Sequence, residues 1–323
     1  MIIQNLVKLS RGSLHPLIIE ANSLGLMNPS ILFHDNKIRV ILRNVNYTFY
    51  HSEKNLFHHP FGPLTYIHPE NDIKLRTWNW YLELDNDLNI KRHHKIDTSK
   101  FDTYEPKWEF VGLEDARLVY WNNCYYITGV RRDTTTEGQG RMELSKLEIY
   151  ENDVVEVERT RIPLPKGQDT YCEKNWMTIQ NKPFTWVKWS NPTEIAMFNP
   201  VSGATETTVT SDVKNFPTDE RGGSQLIPWN GNEGYISLTH AVNLDKHETG
   251  RKNAVYTHRF LQWDKKFKLV KCSKPFNFMG GLVEFATGMT HYEDSILITF
   301  GFQDNAAYIL KTNKEFIEEF ING

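Results

Sequence analysis

Two adjacent carboxylates stand at the start of one predicted strand. In the segment 110–118, Phe-Val-Gly-Leu-Glu-Asp-Ala-Arg-Leu, Glu114 and Asp115 follow an apolar run and precede the strand. Side chains alternate between the two faces of a strand, so we expect only one of these acids to face a shared pocket. A carboxyl group held there could exchange a proton with a reacting hydroxyl. Alternatively, both acids are solvated turn residues neutralised by Arg117.

Basic side chains occupy comparable places in other predicted strands. Arg131 and Arg132 close the strand that follows Asp115, Lys174 precedes another strand, and His240 ends a third. Guanidinium groups match phosphate oxygens in a bidentate fashion. We therefore expect Arg131, Lys174 and His240 to form an anion-binding cluster, since the sequence has no GxxxxGK[ST] or GxGxxG phosphate loop. The alternatives are a surface ion pair for the arginines and a core position for His240.

Further polar residues at strand starts and ends complete the predicted site. They are Arg43, Asn44, Glu114, Asn175, Trp176 and Asp304. Carboxylates among several cations indicate a site that handles a proton and an anion together. The histidine pairs at 58–59 and 93–94 lack ligand spacing on a predicted helix, and the three cysteines show no CxxC spacing, so we expect no metal and no cofactor.

The elements that must position these residues are short strands. Apolar or alternating runs broken by Asn, Asp, Gly and Pro recur along the chain, and only residues 314–321 have a helical pattern. The runs align as five copies of a strand–turn–strand unit. The copies begin near Pro29, Asp115, Asn175, Ser224 and Gly288. This repeat predicts an all-β, five-bladed β-propeller with a short C-terminal helix.

We expect one domain over residues 1–323. Its long first interval predicts an insertion over about residues 57–81, and residues 1–20 are expected to supply a strand that closes the ring against the last blade. The polar strand ends are then equivalent by pseudo-rotation and meet around one central mouth. A β-sandwich with long loops is the alternative, although a sandwich does not require the polar ends to recur.

Composition narrows the class of partner. Lys and Arg number 37 against 40 Asp and Glu, a formal net charge of −3, which disfavours non-specific nucleic-acid binding. Aromatic residues make up 13% of the chain, which suits half-buried sheet surfaces and sugar-binding faces. No apolar stretch approaches the roughly 20 residues that span a bilayer, and few cysteines fit a reducing compartment. We expect a cytoplasmic protein with a small-molecule substrate and no membrane partner; nothing indicates its oligomeric state.

An ordered set of motifs resembles a known family, the five-bladed propeller β-mannoside phosphorylases and their mannosyltransferase relatives. The motifs are residues 112–117, 131–133, 173–176, His240 and 301–304. The resemblance covers roughly residues 110–305, and Gly-x-Glu-Asp-x-Arg is its most specific element. It implies that Asp115 transfers the proton and that Arg131 or Arg132, Lys174 and His240 bind phosphate. Ala116 departs from the family's usual proline, and the segments 43–47 and 76–80 look more like glycosyltransferase-like members.

One acid beside a cluster of basic side chains favours glycosyl transfer over hydrolysis. An inverting hydrolase needs both an acid and a base to activate water, whereas a phosphate oxygen is already a nucleophile or, in reverse, a leaving group. We therefore expect transfer of a glycosyl unit, mannosyl by the resemblance, between a sugar phosphate or nucleotide sugar and an acceptor hydroxyl. Arg76, Trp78 and Trp80 could contact a nucleotide, or the tryptophans could be packed strand aromatics. The alternatives are an inverting β-mannoside phosphorylase or hydrolase, and a non-catalytic sugar-binding propeller.

Overall fold

The computed structural model describes residues 3–21, 24–49, 66–67, 69–229, 231, 233–246 and 252–323. The chain begins with β1 (Gln4–Asn5), helix α1 (Leu6–Ser10) and β2 (Ser13–Pro16). The regular elements that the structure describes after β2 are all strands except one C-terminal helix. Within the described ranges, neither of the two helices is long and apolar enough to cross a membrane.

The first sheet takes its strands from residues 25–111. The strands of this region are β3 (Gly25–His34), β4 (Lys37–Val45), β5 (Thr48–Phe49), β6 (Tyr66–Ile67), β7 (Leu75–Leu84), β8 (Ile90–Lys95) and β9 (Phe110–Val111). The order β3-β4-β7-β8 is antiparallel, β9 joins β7 in parallel, and β5 pairs with β6 in a separate two-stranded sheet. Residues 57–65 and 68 of the predicted insertion lie outside the described residues, whereas residues 75–81 belong to β7.

The second and third sheets are antiparallel meanders in sequence order. Their strands are β10 (Glu114–Trp121), β11 (Cys124–Arg131), β12 (Arg141–Ile149), β13 (Val154–Arg161), β14 (Met177–Thr178), β15 (Thr185–Trp189), β16 (Thr193–Asn199) and β17 (Ala204–Ser211). The tight turn between β10 and β11 is made by Asn122 and Asn123, both with positive φ, a conformation that asparagine tolerates better than most residues.

Residues 221–277 form a larger sheet. Its strands are β18 (Arg221–Gly222), β19 (Ile227–Trp229), β20 (Gly234–Lys246), β21 (Lys252–Asp264), β22 (Leu269–Cys272) and β23 (Phe276–Asn277). The path β1-β23-β21-β20-β18 carries two side branches, β19 on β20 and β22 on β21, which makes seven strands.

The last sheet contains β24 (Glu284–Tyr292), β25 (Ser295–Phe302) and β26 (Ala306–Asn313), with β2 as its outer strand. The pairing of β2 with β26 confirms that the N-terminal segment closes against the last sheet. Helix α2 (Lys314–Asn322) follows. Asn313 caps it by accepting a hydrogen bond from the backbone N–H of Phe316, and Ile317 and Ile321 are buried in the core.

The all-β propeller with a short C-terminal helix is confirmed, but the count of five equivalent blades is wrong. Four sheets contain the regular four-strand path: β3-β4-β7-β8, β10 to β13, β14 to β17, and β24-β25-β26 with β2. The sector of residues 221–277 departs from that pattern. Its inner edge is split into two short strands, β18 and β19, and β1 is added at the far edge.

Apolar clusters fill the space between neighbouring sheets. Ile41 and Tyr81 of the first sheet, for example, pack with Leu118 and Ile127 of the second, and all four are almost fully buried. Near the axis, polar side chains join the inner strands instead. Ser30 of β3 accepts a hydrogen bond from the backbone N–H of Leu118 at 2.9 Å. This hydrogen bond joins inner strand β3 of the first sheet directly to inner strand β10 of the second.

Candidate active site

Three residues near the start of inner strands β3, β10 and β14 share the same backbone conformation. Asn28, Asp115 and Asn175 have φ values of 47°, 50° and 62°, in the left-handed region that Asn and Asp enter more readily than other side chains. In β10 the register with β11 shifts between Glu114 and Arg117, so Asp115 lies in a bulge. A bulge redirects side chains. As a result, Glu114 and Asp115 both line the same cavity, and the prediction that only one acid could face it is wrong.

This cavity, of about 130 Å³, receives side chains from every large sheet. Its lining includes seven of the residues predicted from the sequence: Arg43, Glu114, Asp115, Lys174, Asn175, His240 and Asp304. It also includes seven that were not predicted: Met27, Asn28, Tyr47, Phe110, Arg221, Tyr256 and Phe285. The convergence of polar strand ends on one mouth is thus present, although its membership differs from the predicted one.

Asp115 is held by two donors on one oxygen. Its Oδ1 accepts hydrogen bonds from Arg43 Nη1 at 2.7 Å and from Asn28 Nδ2 at 2.8 Å, and its side chain is 14% exposed. Burial by itself raises the pKa of Asp115, but the charge of Arg43 and the hydrogen bond from Asn28 outweigh it and hold the pKa below its ordinary value. Asp115 is therefore an ionised carboxylate at neutral pH.

Arg43 organises the floor of the cavity from near the end of β4. It is 5% exposed, and its Nε donates to Thr77 Oγ1 at 3.2 Å while Nη2 donates to the hydroxyl of Tyr47 at 2.8 Å. The same Nη2 lies 3.4 Å from Glu114 Oε2. With Asp115 on Nη1, each nitrogen of the guanidinium has a partner, which orients the acidic side chains around it.

The other two acids of the cavity have pKa values shifted upward. Burial raises the pKa of Glu114, and its Oε1 has no hydrogen-bond partner among the described residues. Burial and the nearby Asp115 raise the pKa of Asp304 to about 6, against the opposing charge of Arg43. Asp115 and Asp304 are thus held in different protonation states in mildly acidic solution.

Lys174 and Arg221 bring positive charge to the cavity. Lys174 is exposed and Arg221 half-buried, and within the described ranges neither side chain has an ion pair or a hydrogen bond. Two cations that have no ion-pair partner among the described residues, although Glu114 is near enough to feel the charge of Lys174, can bind an anion at this polar cavity. Arg221 had a visible signal in the sequence, because Glu220-Arg221 precedes a sheet start just as Glu173-Lys174 does.

His240 lies in the cavity wall but does not bring a charge. It is 2% exposed, its ring stacks on Tyr256 at 5.6 Å, and the edge of Phe285 lies 4.6 Å away between ring centroids. Burial, together with the neighbouring His258, lowers its pKa well below the ordinary value. The predicted imidazolium is therefore a neutral imidazole, whose Nδ1 is without a partner in the described part of the chain.

Neither Arg131 nor Arg132 is among the residues that line this cavity. Arg131 is 2% exposed and pairs with Glu143 at 2.7 Å and Asp133 at 3.4 Å. It lines a separate cavity of about 580 Å³ between the first and second sheets. Arg132 donates to the carbonyl of Gly138 at 2.9 Å and to the hydroxyl of Tyr171 at 3.0 Å. Buried acids thus hold Arg131, whereas Arg132 lies 5.3 Å above the ring of Phe110 in the cavity wall and its charge acts on Glu114.

Asn44 and Trp176 serve packing rather than the cavity. Asn44 alternates with Arg43 along β4 and donates to the carbonyl of Gly25 at 3.0 Å. Trp176 is 1% exposed and donates its indole N–H to Glu173 Oε2 at 2.9 Å. Both were predicted to contact substrate, and neither lines the cavity.

The proposed nucleotide platform on β7 also lies elsewhere. Trp80 donates its indole N–H to Asn44 Oδ1 at 3.3 Å and packs in the first sheet. Arg76 and Trp78 line the cavity of about 580 Å³, where Arg76 pairs with Asp72 and Lys95 Nζ lies 4.8 Å above the Trp78 ring. Across the described residues, no group of three His, Cys, Asp or Glu is arranged to hold a metal ion.

No protein-family model matches the chain, and no curated protein matches it in sequence. Solved structures match it in fold. A β-1,2-mannobiose phosphorylase from Listeria innocua, in complex with β-1,2-mannobiose, superposes with a TM-score of 0.56 at 13% identity, covering 99% of both chains. A glycosyl hydrolase from Bacteroides ovatus gives 0.55 at 12% identity over 91% of this chain and 85% of that chain. A GDP-mannose-dependent mannosyltransferase from Leishmania mexicana gives 0.50 at 12% over 94% and 91%. At these identities the likeness shows the fold alone, a β-propeller shared with mannoside phosphorylase, hydrolase and mannosyltransferase structures.

Proposed function

We propose that this chain is a carbohydrate-active enzyme that transfers a glycosyl unit, of the mannose series, from a phosphate-bearing donor to an acceptor hydroxyl. The observation that carries the proposal is one cavity in which the ionised Asp115 lies with Lys174 and Arg221, two cations that have no ion-pair partner in the described part of the chain. A sugar-binding protein without catalysis has no need for a carboxylate held beside free cations. The structural neighbours, which include a phosphorylase and a mannosyltransferase, support the substrate class.

Asp115 is suited to accept a proton. In the proposed step the acceptor hydroxyl transfers its proton to the carboxylate of Asp115, and its oxygen forms a bond to the anomeric carbon of the donor. The bond from that carbon to the phosphate oxygen breaks, and its electron pair leaves with the phosphate. The lowered pKa of Asp115 keeps the base form available at neutral pH. Phosphorolysis is the reverse reaction and requires Asp115 to donate a proton, which a low pKa disfavours.

Lys174, Arg221 and His240 are proposed to receive the phosphate. The two cations neutralise charge that grows on the leaving oxygen, and preorganised groups of this kind contribute strongly to catalysis. The neutral imidazole of His240 can add one hydrogen bond. A sugar phosphate and a nucleotide sugar share this chemistry.

Other residues of the cavity are proposed to bind the sugar. Arg43, Glu114 and Asp304 offer charged partners to hydroxyl groups, and Phe285 and Tyr256 offer ring faces.

The three cysteines are free, which supports our proposal of a reducing compartment such as the cytoplasm.

Inverting hydrolysis is the second candidate, and the divergent pKa values of Asp115 and Asp304 favour it. Two carboxyl groups in one site whose environments push their pKa values apart can divide the acid and base roles. In that reaction Asp304 would donate a proton to the leaving oxygen while Asp115 would activate water.

Product analysis distinguishes these reactions. The protein is incubated separately with mannose 1-phosphate and with nucleotide sugars, each with a mannoside acceptor, and the release of phosphate or nucleotide is followed. A mannobiose is incubated in parallel with and without inorganic phosphate. Release that depends on the acceptor supports transfer, phosphate-dependent cleavage of the mannobiose supports phosphorolysis, and phosphate-independent cleavage supports hydrolysis. Binding of the mannobiose without turnover in any arm would leave a sugar-binding propeller and contradict the proposal.

A further inference from the structure

A second cavity, of about 500 Å³, lies among the first hairpin turns of the sheets. Strands β3 and β10 begin beside the candidate active site, and their far ends carry His34 and Tyr120, which line this second cavity. Strands of 8 and 10 residues span about 26 and 33 Å at roughly 3.3 Å per residue. The second cavity therefore opens at the end of the propeller opposite Asp115.

Each large sheet contributes to this lining. Gln180 and Asn181 come from the turn after β14, Trp229 from the end of β19, and His291 from β24. The positions are equivalent ends of inner strands, so a single ligand placed here is contacted by all the sheets at once. Such a convergence also produces the candidate active site at the other end.

Aromatic rings form the walls in two pairs. His34 lies against Tyr120 with centroids 3.9 Å apart and planes tilted by 30°. His291 stacks on Trp229 at 5.7 Å and 23°. The side chains of His34, Tyr120 and His291 are half-buried, so their rings combine a fixed position with an accessible surface. A hydrogen bond between His34 Nδ1 and the hydroxyl of Tyr125, and one from His291 Nε2 to the carbonyl of Pro228, hold the imidazoles in place.

The lining is close to neutral. Of the described residues that form it, Lys314 alone carries a permanent charge, and none is a carboxylate. Lys314 Nζ lies 3.5 Å from Glu318 and 5.0 Å above the Trp229 ring, so its charge is already balanced. Burial and the nearby Arg39 lower the pKa of His34, which keeps that ring uncharged at neutral pH. A phosphate or a cation would find no free counterion here.

We propose that this cavity is a second saccharide-binding site, which takes one or two neutral pyranose units. The carbon–hydrogen faces of a pyranose pack on aromatic rings, and the amides of Gln180 and Asn181 can donate to and accept from its hydroxyl groups. The volume falls within the range of about 300–1,000 Å³ that is usual for small-molecule pockets. The ligand class follows from this lining and does not rest on the proposed reaction at Asp115.

Calorimetric titration with a mannobiose, and with cellobiose and maltose as further neutral probes, tests the proposal. Tyr120→Leu keeps an apolar side chain but removes a ring, and His291→Gln removes a ring but keeps a donor for the Pro228 carbonyl. Each is expected to weaken one binding event about tenfold, equivalent to about 1.4 kcal/mol. The matched control is Tyr150→Leu, at an exposed tyrosine outside both cavities, which is expected to bind as the wild type does.

The outcomes separate this site from the active site. If the proposed function is correct, the wild type gives two saccharide-binding events for the mannobiose, and the variants lose affinity in one. If that function is wrong, a single event sensitive to Tyr120→Leu still supports the second site. Far-UV circular dichroism and thermal unfolding establish that the variants are folded. Unchanged binding in folded Tyr120→Leu and His291→Gln, no binding of any probe by the wild type, or inorganic phosphate binding that Tyr120→Leu abolishes would overturn the proposal.

Discussion

Replacement of Asp115 by Asn is expected to abolish turnover while preserving the shape of the candidate active site. Both hydrogen bonds to Asp115 end on Oδ1, and the amide oxygen of asparagine can accept the same two bonds from Arg43 and Asn28. Asparagine also tolerates the φ of 50° at this position, whereas alanine would add backbone strain. The substitution therefore removes the charge and basicity of one group with little change in geometry.

The expected loss of activity is on the order of 10²–10⁴-fold, the usual contribution of a positioned acid or base. The free energy of unfolding is expected to fall by only about 1–2 kcal/mol, because a charge-assisted hydrogen bond to Arg43 becomes a neutral one. Affinity for inorganic phosphate should not decrease, since the removed carboxylate is itself an anion.

Initial rates with the substrate identified by product analysis, together with urea unfolding and phosphate titration, measure these three quantities. Glu114→Gln tests the alternative assignment of the proton-transfer role, because Glu114 is adjacent, acidic and lines the same cavity. A folded Asp115→Asn protein that keeps more than about a tenth of wild-type turnover, where a loss on the order of 10²-fold or more is expected, would refute the assignment of the proton-transfer role. Loss of activity in Glu114→Gln with an active Asp115→Asn would assign that role to Glu114.

Lys174→Met and Arg221→Gln are each expected to weaken phosphate binding about ten- to a hundredfold, because each removes a charge-assisted hydrogen bond of roughly 1.5–3 kcal/mol. Affinity for a neutral mannoside should not fall comparably. Calorimetric titrations in which both ligands lose the same affinity would contradict this prediction. Arg131→Gln should leave phosphate affinity unchanged but lower the free energy of unfolding by about 1.5–3 kcal/mol, because Glu143 loses its buried partner and keeps Arg161 at 3.0 Å; a stable variant with weak phosphate binding would oppose this. Asp304 has a pKa of about 6 in the folded protein against 3.8 ordinarily, so the unfolded chain ionises first and stability falls as pH rises from about 4 to 6. Asp304→Asn is expected to remove up to about 3 kcal/mol of that fall, at about 1.36 kcal/mol per pKa unit. Urea-unfolding curves of the wild-type protein that are identical at pH 4.5 and pH 7.5 would contradict this prediction.

Local patterns in the sequence were sufficient for the class of fold and for much of the site. Alternating apolar runs and turn residues such as Asn122 and Asn123 predict short strands and tight turns, because strand pairing and left-handed turns depend on neighbouring residues. The recurrence of polar groups at strand ends predicts their convergence. Arg43, Asp115 and Lys174 were found in this way, since equivalent positions in repeated sheets meet at one mouth.

Tertiary contacts alone decided the charges and the final membership of the site. Arg131 and Arg221 are equally basic in sequence, yet buried acids neutralise Arg131, whereas Arg221 at the cavity has no ion pair among the described residues. His240 loses its proton because it is buried, and Asp115 turns into the cavity because of a bulge. The sheet of residues 221–277 departs from the regular four-strand blade for the same kind of reason, since β1 from the N-terminal end of the chain pairs with its strand β23. Burial, counterions and strand pairing depend on residues distant in sequence, so no local pattern could specify them.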